Sequence, residues 1–113
     1  MKEQVEEIIK EAIAELNEQM DADKQLIYST DTRLIGKHAE IDSMEFVTLV
    51  TIIEELIGDK FDKDIRIVSD KAFSRERSPF YSIKTLTDFV VELLEEEAWI
   101  LLLLEPIKVS VNN

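Results

Sequence analysis

The chain has 113 residues, the length of one domain at roughly 100–200 residues per domain, and 45% of them are apolar, enough for a single buried core. Thirteen basic against twenty-five acidic side chains give a formal charge of −12, which opposes phosphate backbones and anionic membranes and argues against nucleic acid as a partner. The absence of cysteine excludes disulfide frameworks, thiolate zinc sites and cysteine nucleophiles together.

The opening Met1-Lys2-Glu3-Gln4 runs directly into an acidic helical pattern without an apolar signal region, so a cytoplasmic location is the expectation. Val5, Ile8, Ile9, Ala12, Ile13, Leu16 and Met20 recur at steps of three and four with glutamates between them, which predicts one amphipathic helix. From Asp21 to Glu40 the periodicity stops; an ordered loop is expected, anchored by Leu26, Ile27, Leu34 and Ile35. Asp42-Ser43-Met44-Glu45 has the form of a helix start, a short oxygen-bearing side chain followed three residues later by a glutamate. The helix it opens presents Phe46, Val47, Leu49, Val50, Ile53, Leu56 and Ile57 to the core, and Gly58 stands where a left-handed cap would end it.

Residues 59–84 form a second irregular region, with Phe61, Ile65, Ile67, Phe73, Phe80 and Ile83 as anchors and a short helix expected inside it. Within it, residues 65–84 carry five basic side chains (Arg66, Lys71, Arg75, Arg77 and Lys84) against two acidic ones, a basic island in an acidic chain. Thr85-Leu86-Thr87-Asp88 is expected to open the last helix, whose core face is Leu86, Phe89, Val90, Leu93 and Leu94 and which closes on Glu95-Glu96-Glu97.

Two chemical readings fail on the residues themselves. Ser43 with His38 as base and Asp42 as orienter lacks both the G-x-S-x-G elbow and any glycine-supported oxyanion turn, so no catalytic residue is assigned and the chain reads as a non-enzyme. Asp59, Asp62 and Asp64 lack the sharp-turn glycine and terminal glutamate of an EF-hand, so no metal site is assigned. The plain reading of Ser43 is an ordinary helix N-cap.

The string Leu34-Ile35, Ile41-Asp42-Ser43-Met44-Glu45-Phe46-Val47, Leu49-Val50, Ile53-Glu54-Glu55 and, later, Ile83-Lys84-Thr85-Leu86-Thr87-Asp88-Phe89-Val90 resembles an acyl carrier protein, over about Val5 to Leu94. The resemblance implies an all-α fold, a four-helix bundle of three main helices and one short one, here with an extended loop between the second main helix and the third. It implies that Ser43 carries 4′-phosphopantetheine donated by coenzyme A, with a separate phosphopantetheinyl transferase assisting the attack and Asp42 helping to hold that enzyme's magnesium. It also implies that acyl-loading and acyl-processing enzymes dock basic patches on Met44, Glu45, Glu54 and Glu55, in fast, salt-sensitive encounters. Charge reversal at Glu45 and Glu54 is then expected to leave stability almost unchanged.

Three departures separate the chain from the usual pattern: Glu40-Ile41 before Asp-Ser, Thr48 and Thr51 in the second helix, and the lengthened basic, aromatic stretch from Ile65 to Ile83. They point to a stand-alone carrier serving a dedicated lipid or secondary-metabolite pathway. The alternatives are a carrier of aminoacyl or peptidyl groups, an unmodified helical interaction module, and a plain helical oligomerisation domain.

The domain is expected to occupy residues 1–97, followed by a tail, 98–113. Ala98 to Leu104 is a run of seven apolar residues, far short of the ~20 that span a bilayer, so no transmembrane anchor is expected. The expectation is a monomer whose tail folds back over the insert around Phe73, Phe80 and Tyr81; packing on a second copy or a partner enzyme is the alternative.

Overall fold

The first helix, α1 (Lys2–Glu18), forms where the apolar spacing requires it, and buries Val5, Ile8, Ile9, Ala12, Ile13 and Leu16 along one stripe. The structure, a computed structural model, describes residues 1–74 and 76–96; Arg75, Glu97 and the tail 98–113 lie outside them, and with them the fold-back expectation. A 3-10 turn (Ala22–Lys24) follows, then α2 (Ser43–Phe61), a single-turn α3 (Asp70–Phe73), and α4, helical over residues 83–96. Among the described residues there is no strand, only one isolated antiparallel bridge between Arg33 and Ser82. None of the described helices is long and apolar enough to cross a membrane.

The core is one cluster in which α1 packs on α2, joined by Leu86, Phe89, Val90 and Leu94 of α4 and by Ile65, Ile67 and Phe80 of the insert. Burying one such side chain stabilises by roughly 1.5–3 kcal/mol, which accounts for an insert that stays packed with little regular structure. The long loop after α1 is held at both ends. Asn17 accepts from the Leu26 N–H and donates to the Leu26 carbonyl, both at 2.8 Å. Further on, the Leu34 N–H donates to the Tyr81 carbonyl and the Ile83 N–H to the Thr32 carbonyl, both at 3.0 Å, which fastens this loop to the segment before α4. Lys60 of α2 reaches Glu11 of α1 at 2.9 Å, and Lys71 of α3 pairs with Glu96 of α4.

Several expectations are corrected. Gly58 does not end α2: the helix runs on to Phe61, and Asp62 takes the left-handed conformation (φ 53°, ψ 43°), its N–H donating to the Gly58 carbonyl. α4 begins at residue 83 rather than at Thr85, because Ser82 and Thr85 exchange backbone-to-hydroxyl bonds across the first turn, at 2.9 and 3.3 Å. Ile27, Val47 and Phe73, expected as anchors, are 77%, 59% and 71% exposed, whereas Ile52 is buried.

Candidate functional site

The N-terminus of α2 is built by four consecutive residues. Asp42 is the N-cap: its carboxylate accepts from the Glu45 N–H at 2.8 Å, and the Glu45 carboxylate accepts in return from the Asp42 N–H at 2.8 Å. This reciprocal pair satisfies two of the donors that a helix start leaves open. Ile41 before the cap and Phe46 at the fourth helical position are both buried, the arrangement of a hydrophobic staple that fixes the angle of entry. The reading of Ser43 as an ordinary N-cap is thereby corrected. Ser43 is the first residue inside the helix, exposed, and its hydroxyl makes no hydrogen bond within the described residues.

Among the described residues the N–H groups of Ser43 and Met44 have no acceptor, because the Glu45 N–H takes the Asp42 side chain and Phe46 is the first whose N–H bonds back to a carbonyl, that of Asp42 at 2.9 Å. The site therefore offers a free hydroxyl beside two free donors at the positive end of a helix dipole. On the loop side lies an open groove of about 640 Å³ lined in part by Asp23, Glu40, Asp42 and Glu45, with Lys24 among these acids.

The other residues expected on this surface divide. Met44 is 77% exposed and Glu55 is exposed, so both are presented to solvent. Glu45 is half-buried and engaged in the cap. Glu54 is half-buried too, and its Oε2 accepts from the Ile67 N–H at 2.8 Å, tying the insert to α2. Charge reversal at Glu45 or Glu54 therefore removes a hydrogen bond, contrary to the expectation of unchanged stability. Thr48 and Thr51 turn their hydroxyls back onto the carbonyls of Met44 and Val47, at 3.0 and 2.9 Å, so neither is an open donor. His38 is exposed on the loop. The tie from Glu54 to Ile67 had no sequence signal, since it joins positions thirteen residues apart across an irregular segment.

Comparison with protein-family models, curated proteins and solved structures found no match to this chain.

Proposed function

We propose that this chain is an acyl carrier domain whose Ser43 accepts 4′-phosphopantetheine from coenzyme A. The observation that supports it most is the division of labour at the start of α2, where Asp42 caps the helix and leaves the Ser43 hydroxyl exposed and unbonded. A serine kept for capping would spend that hydroxyl on its own backbone. Among the described residues, five helical segments, one of them a 3-10 turn, around one core are compatible with the four-helix carrier bundle, with α1, α2 and α4 as the main helices and α3 as the short one.

The residues present fit the group. The free N–H groups of Ser43 and Met44 suit a phosphodiester on the adjacent oxygen, and the helix dipole favours its charge. When bound, the group supplies a thiol that holds acyl cargo as a thioester. Ser43 Oγ would be the nucleophile toward the pantetheine-side phosphorus of the coenzyme A pyrophosphate, whose P–O bond breaks so that adenosine 3′,5′-bisphosphate leaves, and with no base bonded to the hydroxyl among the described residues, its proton would leave through a separate transferase. Asp42 has one carboxylate oxygen committed to the cap, and the other is the oxygen it offers to that enzyme's magnesium. Tethering raises the local concentration of cargo at each partner enzyme, whose basic surface the −12 chain attracts. The pathway served is a dedicated lipid or secondary-metabolite one.

A second reading, an interaction module that is never modified, is favoured by the exposed apolar pair Met44 and Val47, which would dock a partner with or without a prosthetic group. Incubation with coenzyme A, magnesium and a broad-specificity phosphopantetheinyl transferase separates the two. The carrier gains the mass of one phosphopantetheine, and Ser43→Ala gains none while keeping its helical circular dichroism. A wild type that gains nothing supports the second reading.

A further inference from the structure

The single turn of α3 leaves an apolar surface open beside the end of α4. Its one buried side chain is Ala72, while Phe73 is 71% exposed and Val68, just before the turn, is 46% exposed. The Ser69 carbonyl accepts from the Phe73 N–H at 3.3 Å, which brings the backbone at Phe73 back next to Val68. Phe80, in the same insert, is by contrast covered: it packs edge to face on both Phe46 and Phe89. Lys71 of α3 pairs with Glu96, the last residue of α4 that the structure describes, so the chain leaves α4 next to this open surface.

The sequence after Glu96 has the complementary character. Residues 98–104, Ala-Trp-Ile followed by four leucines, are apolar without interruption and begin two positions beyond Glu96, a distance of at most about 7 Å along the chain. Burying apolar surface against apolar surface removes both from water. Two alternatives compete with this segment for Phe73, a second copy and a partner protein, and both are disfavoured. A segment tethered this closely stands at an effective concentration in the millimolar range, far above that of a dilute second copy. A second copy also brings the same charge of −12, which opposes its approach.

We propose that residues 98–104 dock within the same chain on Phe73 and Val68, as a strap that ties the insert to the end of α4, with the Lys71–Glu96 pair setting where the strap begins. The inference does not depend on the carrier reading.

Trp99 is the single tryptophan of the chain and lies in the strap, so its fluorescence reports docking without a label. In the full-length protein its emission is expected at shorter wavelength than free tryptophan and unchanged on dilution. Phe73→Ser is expected to move the emission to longer wavelength and raise its quenching by acrylamide, with the helical circular dichroism retained, since Phe73 is exposed among the described residues. Val68→Ser should give a smaller shift of the same sign, and Ile27→Ser, which removes an exposed apolar side chain from the loop before α2, should give none. A wild-type emission matching free tryptophan would overturn the inference, as would one that neither Phe73→Ser nor Val68→Ser moves, or that Ile27→Ser moves equally. An emission that reddens on dilution would assign Trp99 to a contact with a second copy and overturn it too.

Discussion

Glu54 Oε2 accepts the backbone N–H of Ile67 at 2.8 Å, so a carboxylate on α2 supplies the hydrogen bond that the irregular insert cannot make for itself. Removing the acceptor while keeping the neighbouring fold leaves a part-buried donor unpaired, at a cost of about 1–2 kcal/mol. Glu54→Ala is therefore expected to lose about that much stability in urea unfolding and to speed exchange of the Ile67 amide. Glu54→Gln keeps an acceptor oxygen and should retain most of both. Equal losses in the two variants would mean that the charge of Glu54, and not its bond to Ile67, matters.

The start of α2 predicts an asymmetry between adjacent residues. Asp42→Ala removes the cap and is expected to destabilise by about 1 kcal/mol, the usual cost of losing a side-chain N-cap. Ser43→Ala removes an unbonded, exposed hydroxyl and should change stability by less than about 0.5 kcal/mol. Chemical denaturation of both variants checks this, and a larger loss at Ser43 would restore the serine as the cap.

The sequence made the helices legible where packing follows periodicity. The α1 stripe is buried as its spacing requires, and the Asp42 to Glu45 spacing located the start of α2. The end of α2 is not legible at Gly58, because the helix continues to Phe61 and stops at Asp62, a residue whose short polar side chain tolerates the left-handed region. The start of α4 was hidden because Ser82 and Thr85 form a reciprocal cap without the glutamate that usually marks one. Apolar character alone overstates burial at Ile27, Val47 and Phe73, which the fold leaves exposed. At the candidate site, the motif marks Ser43 and the spacing marks the Asp42 to Glu45 cap, whereas the bond from Glu54 to Ile67 comes only from geometry.

Tyr28 links burial to alkaline stability. Its hydroxyl is buried without a hydrogen-bond partner among the described residues, and burial first, then the nearby charges of Glu6 and Glu7, raise its pKa above the ordinary 10.0 against the opposing effect of Lys10. Above pH 10 the unfolded chain releases this proton before the folded one does. The contribution of Tyr28 is thus fully present below pH 10 and is lost as the pH rises through the folded value. Tyr28→Phe is expected to equal or slightly exceed the wild type at pH 7 and to show a smaller decline between pH 9 and 11. Identical declines would contradict this placement of the hydroxyl.

On the carrier reading, Glu55 is the acid free to meet a basic partner, since Glu45 and Glu54 are engaged within the fold. Glu55→Lys is expected to slow modification by the transferase several-fold with little change in stability, whereas Glu45→Lys should slow it and also destabilise the helix start. Added salt should slow the wild type as the Debye length falls from about 10 Å at 0.1 M to about 3 Å at 1 M. Rates indifferent to both Glu55→Lys and salt would remove α2 as the recognition surface.

The absence of cysteine gives the central claim a readout with no background, because any thiol on this chain must come from an attached group. Titration of the purified protein with a thiol reagent, before and after treatment with coenzyme A, magnesium and transferase and removal of free coenzyme A, is expected to rise from zero to one thiol per chain, and to stay at zero in Ser43→Ala. A wild type that remains at zero after exhaustive treatment, or a Ser43→Ala variant that gains the thiol, would contradict the assignment of Ser43 as the site of attachment.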